Sequence, residues 1–240
     1  MSAMSIRSWA STHPGTRRAE NEDTFVNRPD LGIWAVADGA GGHEDGALAS
    51  GRIAEALNAL DAALPAGELL AEVRSRIDTV HAGLLDEATQ RGPDILIAST
   101  LVILILRDAH FACLWAGDSR AYRLRDGELQ RITRDHSLVQ EMLDSGEIAA
   151  EEAEAHPRSN VVTRAIGAGL DAVPLDKTTD LLCPGDRFLL CSDGLTKALP
   201  EEEIAALLGE EGETVAEGLV NAALARKASD NVTAVAVEIG

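Results

Sequence analysis

The chain has 240 residues, 45% of them apolar, enough to bury a core within one domain running over 1–240. Forty acids against 21 lysines and arginines give a net charge of −19, which repels phosphate backbones and anionic lipid and so counts against nucleic acid and membranes as partners. Cys113, Cys183 and Cys191 are odd in number and lack CxxC spacing, which excludes a disulfide framework and fits reduced thiols.

The opening stretch, MSAMSIRSWASTHPG, lacks the apolar core of a signal peptide, and the longest apolar run, ILIASTLVILIL from Ile95, is too short to cross a membrane. A soluble, cytoplasmic chain is expected. β-Branched residues and turn signals predict strands at 22–27 and 32–38. Apolar residues at spacings of three and four predict helices at 46–63 and at 67–90, the second with a stripe of Leu69, Leu70, Val73, Ile77, Val80, Leu84 and Leu85. Strands at 97–106 and 109–116 follow, reversing at Arg107-Asp108 and apolar enough for burial on both faces. A strand at 119–125 runs into Asp126-Gly127, the sequence form of a tight hairpin, because both turn positions need positive φ. The segment 135–169 is polar and mixed, without clear boundaries. A strand at 187–192, helices at 200–208 and 213–226, and a strand at 231–239 complete the chain. Paired antiparallel strands with amphipathic helices to cover them predict one layered domain.

Several acids punctuate these strands. GIWAVADGAGG ends a buried strand at Asp38, FACLWAGDSR ends another at Gly117-Asp118, RFLLCSDG ends a third at Asp193, and SDNVTAVAV begins one after Asp230. RRAENEDTF places Glu22 and Asp23 at the start of another. Any one of them reads as a turn or cap residue. Together, adjacent strand ends would bring like charges into proximity at an energetic cost, and a cation between them removes it. Oxygen ligands without histidine or cysteine point to magnesium or manganese rather than zinc, and His13, His43, His81, His110, His136 and His156 form no zinc-type pair. Two such cations on shared carboxylates would generate a bridging hydroxide and clamp a phosphoryl oxygen.

The motifs GTRRAENED, VADGAGGH, AGDSRAY, LLCSDGL and SDNVTAVAV, in this order from Gly15 to Val237, resemble those of the metal-dependent serine/threonine protein phosphatases of type 2C, in particular compact bacterial members. The resemblance implies an α+β fold, a four-layer α-β-β-α sandwich with two central antiparallel sheets flanked by helices. It implies two Mn2+ or Mg2+ ions, with Asp38 bridging both, Asp193 and Asp230 completing one site, and Glu22 with the Gly39 carbonyl completing the other. Asp118, with Asp193, matches the aspartate that helps hold a third, weaker cation. Arg18 matches the arginine that orients the substrate phosphate, a role suited to a planar guanidinium. The segment 136–169 resembles the mobile flap of bacterial members.

Two departures stand out. Ala40 stands where animal relatives carry a histidine thought to protonate the leaving alkoxide, and His43, three residues on, matches the bacterial pattern; either His43 or water on a cation supplies the proton. Ala98 stands where the family usually has glycine. The resemblance implies hydrolysis of phosphoserine and phosphothreonine on proteins by hydroxide bridging two cations, opposing a Ser/Thr kinase, in a monomer acting in trans. Two alternatives remain: a phosphatase of small esters, and a phosphoprotein-binding scaffold without turnover.

Overall fold

The computed structural model describes residues 5–41, 44–153, 156–169 and 172–240. Its strands are β1 (Ile6–His13), β2 (Asp23–Arg28), β3 (Ile33–Ala40), β4 (Ala98–Ser99), β5 (Leu101–Arg107), β6 (His110–Ala116), β7 (Arg120–Arg125), β8 (Glu128–Arg131), β9 (Asp176–Leu181), β10 (Arg187–Cys191) and β11 (Val232–Ile239). The helices are α1 (Glu44–Asn58), α2 (Ala66–Arg91), α3 (Leu138–Ser145), α4 (Ala150–Ala153), α5 (Asp193–Thr196), α6 (Glu201–Leu208) and α7 (Val215–Ala225).

The strands form two antiparallel sheets, one ordered β1-β11-β10-β7-β8 and the other β2-β3-β5-β6-β9, with β4 attached to β3. Between the sheets lies an apolar layer in which Trp34, Val102, Leu104 and Phe111 meet Phe188, Leu190 and Val235. Phe111 and Phe188 meet edge to face, their centroids 5.0 Å apart. Because side chains alternate along a strand, the intervening residues form two further cores. Ile33, Ala35, Ile103 and Leu114 pack under Ile53 and Leu57 of α1 and Leu69, Val73 and Ile77 of α2. Tyr122, Leu189 and Ala234 pack under Leu199, Ile204, Leu208 and Leu219 around α6 and α7. Each fully buried large apolar side chain contributes about 1.5–3 kcal/mol, so both sheets are fastened on two faces. This is the expected four-layer arrangement.

The predicted hairpin is present: Arg125 pairs with Glu128, and Asp126 and Gly127 have φ of +52° and +82°. The β5–β6 reversal falls one residue later than predicted, at Asp108-Ala109, with Asp108 at φ +53° and Arg107 paired to His110. The predicted strand 97–106 is divided at Thr100 into β4 and β5. Helix α1 stops at Asn58 rather than 63, where the Asp61 side chain accepts from the Ala63 N–H and turns the chain. Strands β1 and β9, and helices α3 and α4 within the polar 135–169 segment, were not delimited by the sequence pattern.

Candidate active site

The two sheets deliver their acids to one pole. Asp23 opens β2 and pairs in register with Asp38 on β3, so two carboxylates stand on one face of neighbouring strands. Asp118 follows β6 through Gly117, Asp193 begins α5 directly after β10, and Asp230 precedes β11. Like-charge interactions with Asp23, Asp193, Asp118 and Asp230 all act on Asp38. Part of Asp38 remains open to solvent, yet loss of hydration is the first cause raising its pKa well above the ordinary carboxylate value, followed by those neighbours. Burial raises Asp118 to about 7, with Asp193 and Asp135 adding repulsion.

Asp23 is 6% exposed. Its Oδ2 accepts from the Ser192 and Thr233 hydroxyls, each at 2.7 Å, while its Oδ1 has no hydrogen-bond partner. Burial raises its pKa to about 7.

The backbone around Asp38 is fixed by Thr100. The Asp38 N–H donates to Thr100 Oγ1 at 3.2 Å, the Thr100 N–H donates to the Asp38 carbonyl at 2.8 Å, and the Ser99 hydroxyl donates to the same carbonyl at 3.0 Å. Glu22 is placed by Asn231, whose side-chain oxygen accepts the Glu22 N–H at 2.9 Å and whose amide donates to the Pro14 and Glu20 carbonyls. The Glu22 carboxylate lies against Gly46 in the first turn of α1, where an added Cβ would stand 2.3 Å from Oε2. Gly39 is equally constrained, because a Cβ there would lie 2.2 Å from the Gly46 carbonyl oxygen. Glycine at 39 is thus required by the approach of α1 to β3.

Two cations balance part of this charge. Arg18 pairs with Asp230 at 2.8 Å, and hydrogen bonding to Asp230, then its charge, with Glu22 and Asp38 adding to it, raise the guanidinium pKa. Lys197 pairs with Asp193 one turn along α5 and lies within electrostatic reach of Asp118 and Asp230. Among the described residues no three His, Cys, Asp or Glu side chains are drawn together as a ready-made metal cage; Asp193 and Asp230 are turned to Lys197 and Arg18. The donor set nevertheless fits hard divalent cations: carboxylates without imidazole or thiolate, Asp38 raised by like charges, and an unpartnered Asp23 oxygen. His43 lies outside the described residues.

Asp23 was named with Glu22 among the strand-end acids but was given no site role, and Thr100 and Lys197 were missed as members of this pole. A carboxylate beside Glu22, a hydroxyl at a strand break and a lysine four residues after Asp193 were the available signals.

The structure thus gathers acids from both sheets of a two-sheet sandwich beside one arginine. The chain belongs to the protein phosphatase 2C family, whose model matches residues 16–226. It is 36% identical over 236 residues to the serine/threonine protein phosphatase PstP of Mycobacterium tuberculosis, covering 98% of this chain and 45% of that protein, so it spans about half the length of PstP. It is 34% identical to the serine/threonine phosphatase stp of Listeria monocytogenes, covering 95% of this chain and 93% of the relative. Among solved structures, PppA, described as a key regulatory component of T6SS in Pseudomonas aeruginosa, superposes with a TM-score of 0.90 at 40% identity over 98% of both chains. The catalytic domain of PstP in complex with two manganese ions superposes with a TM-score of 0.88 at 33% identity over 99% of both.

Proposed function

We propose that this chain hydrolyses phosphoserine and phosphothreonine esters of proteins at the acidic pole, using Mn2+ or Mg2+. The observation that carries the reading is the convergence of Asp23, Asp118, Asp193 and Asp230 on Asp38, whose pKa is raised by burial first and by those four charges next, in a chain of the protein phosphatase 2C family. Asp38, Asp193 and Asp230 would hold one cation, and Asp38, Glu22 and the Gly39 carbonyl would hold the other. Asp118, with Asp193, would hold a weaker third. Two divalent cations supply the positive charge that makes water nucleophilic at neutral pH and neutralises the phosphoryl oxygens.

The residues around them do the rest. Arg18, more than half exposed beside Asp230, turns its planar fork to two phosphoryl oxygens and orients the ester. Thr100 keeps the Asp38 backbone still, so its carboxylate needs no reorganisation when substrate arrives. Either His43 or water held by a cation would donate the proton to the departing serine or threonine oxygen. Phosphorylated substrates of a Ser/Thr kinase, a monomeric state and a cytoplasmic location belong to the same proposal; no helix is long and apolar enough to cross a membrane among the described residues. The identity to PppA over nearly the whole of both chains makes regulation of a T6SS the physiological setting to test first.

Asp38→Asn is expected to lower Mn2+-dependent release of phosphate from phosphopeptides by about a hundredfold or more, measured with the protein's fold checked by circular dichroism. An unchanged rate rejects the assignment.

A further inference from the structure

The segment entering the flap is tied to the acidic pole through the backbone of one residue, Gly117. His136, two residues before α3, takes both polar groups of Gly117: its backbone N–H donates to the Gly117 carbonyl at 2.9 Å, and its Nδ1 accepts the Gly117 N–H at 3.1 Å. Since Nδ1 accepts, the ring proton is on Nε2, which stands 3.3 Å from Asp176 Oδ2. Burial lowers the imidazole pKa, so Nδ1 remains an acceptor at neutral pH. Trp115 stacks on the ring, the two nearly parallel at 13°, and its indole N–H donates to the Arg134 carbonyl at 2.8 Å. The adjacent Asp135 is held by Arg120, two residues beyond Asp118, through hydrogen bonds of 2.7 and 3.1 Å.

What this clamp fixes is an unusual backbone. Gly117 has φ +111°, and a Cβ on it would lie 2.6 Å from Thr100 Cβ. It is therefore seated on Thr100, the residue whose hydroxyl accepts the Asp38 N–H and contacts the Ser119 hydroxyl at 2.7 Å. Asp118 follows Gly117 directly, within electrostatic reach of Asp193, Asp135 and Lys197.

The geometry points to His136 as a positioning residue: by holding both backbone polar groups of Gly117 it aims Asp118 and keeps Gly117 against Thr100, coupling the root of the flap to the cation site. The inference rests on the proposal that Asp118 helps hold a third, weaker cation. It differs in naming a residue outside the carboxylate set, whose contribution is made through backbone geometry.

The test is calorimetric titration of the full chain with MnCl2, comparing wild type with D118N, H136A, H136N and H136Q and checking each by thermal melting. Wild type is expected to show tight and weak classes of Mn2+ sites, with D118N lacking the weak class. H136A should weaken that class by roughly 10–100-fold while leaving the tight class in place. An asparagine amide oxygen falls near the position of Nδ1 and can accept the Gly117 N–H, so H136N should restore weak-site affinity. A glutamine amide reaches instead towards Nε2 and Asp176, so H136Q should not. A weak class unaltered in H136A, or restored equally by Asn and Gln, overturns the role of His136. If H136A does not fold, the Asn–Gln comparison decides on its own. Identical isotherms for wild type and D118N would remove the cation at Asp118, and the inference with it.

Discussion

Asp23 stands across the β2–β3 pair from Asp38 and gives one carboxylate oxygen to the hydroxyls of Ser192 and Thr233. Burial outweighs these two hydrogen bonds and raises its pKa to about 7, against about 3.9 in an unfolded chain. Between those values the folded protein keeps a proton that the unfolded chain releases. Stability from this group is therefore complete below about pH 4 and is lost as pH rises towards about 7. Asp23→Asn keeps an oxygen for both hydroxyls and removes the charge. In chelator at about pH 8 it should melt roughly 5 °C above wild type, with little difference near pH 4; calorimetry at both pH values checks this, and equal melting at pH 8 would contradict it. Asp23 was legible as an acid at a strand start. Its partners were not, because Ser192 and Thr233 lie 169 and 210 residues away and only the sheet packing brings them near.

Helix α1 carries a contrast that separates packing from propensity. Gly46 presses on the carbonyl carbon of Gly39 and on the Glu22 carboxylate, whereas Gly51, one and a half turns further along, has open space where a Cβ would go. Gly51→Ala should stabilise by about 0.5–1 kcal/mol through helix propensity without changing activity. Gly46→Ala gains the same propensity but displaces Glu22, so the apparent affinity of the activating Mn2+ should fall by roughly 10–100-fold. Metal-dependence curves together with melting temperatures distinguish the two, and matching behaviour of both variants would refute the account. The same scale explains what the sequence pattern showed. Interior strands such as β5 and β11 are apolar because both faces are covered, and they stand out in the sequence. Strands β1 and β9 are the outer members of their sheets and carry exposed polar residues such as Arg7, Lys177 and Asp180, so they lack the apolar alternation by which strands are recognised. Helix α3 did leave a signal: Ser137 caps it by accepting the Gln140 N–H at 3.3 Å, and Gly146 ends it in the left-handed region.

Across the whole molecule, the acids at the pole come from both sheets: Asp23, Asp38 and Asp118 from the β2-β3-β5-β6-β9 side, Asp193 and Asp230 from the β1-β11-β10-β7-β8 side. Repulsion there acts to part the sheets that the central apolar layer holds together, in a chain whose net charge of −19 already opposes compaction. On the ligand set proposed above, a cation shared across the pole would reverse the sign, adding an attraction that only the folded chain can offer. At a free Mn2+ concentration 100 times its Kd, binding contributes about 2.7 kcal/mol, which for a chain of this length raises the melting temperature by roughly 5–10 °C. Asp38→Asn should invert both halves of this behaviour. Without metal it removes a carboxylate opposed by burial and by four neighbouring aspartates, so the variant should melt above wild type in chelator. With metal it lacks the shared ligand and should gain little. Melting curves of both proteins in chelator and in excess Mn2+ should therefore cross, wild type being the less stable without the ion and the more stable with it. Parallel curves would mean that the two sheets are not coupled through Asp38.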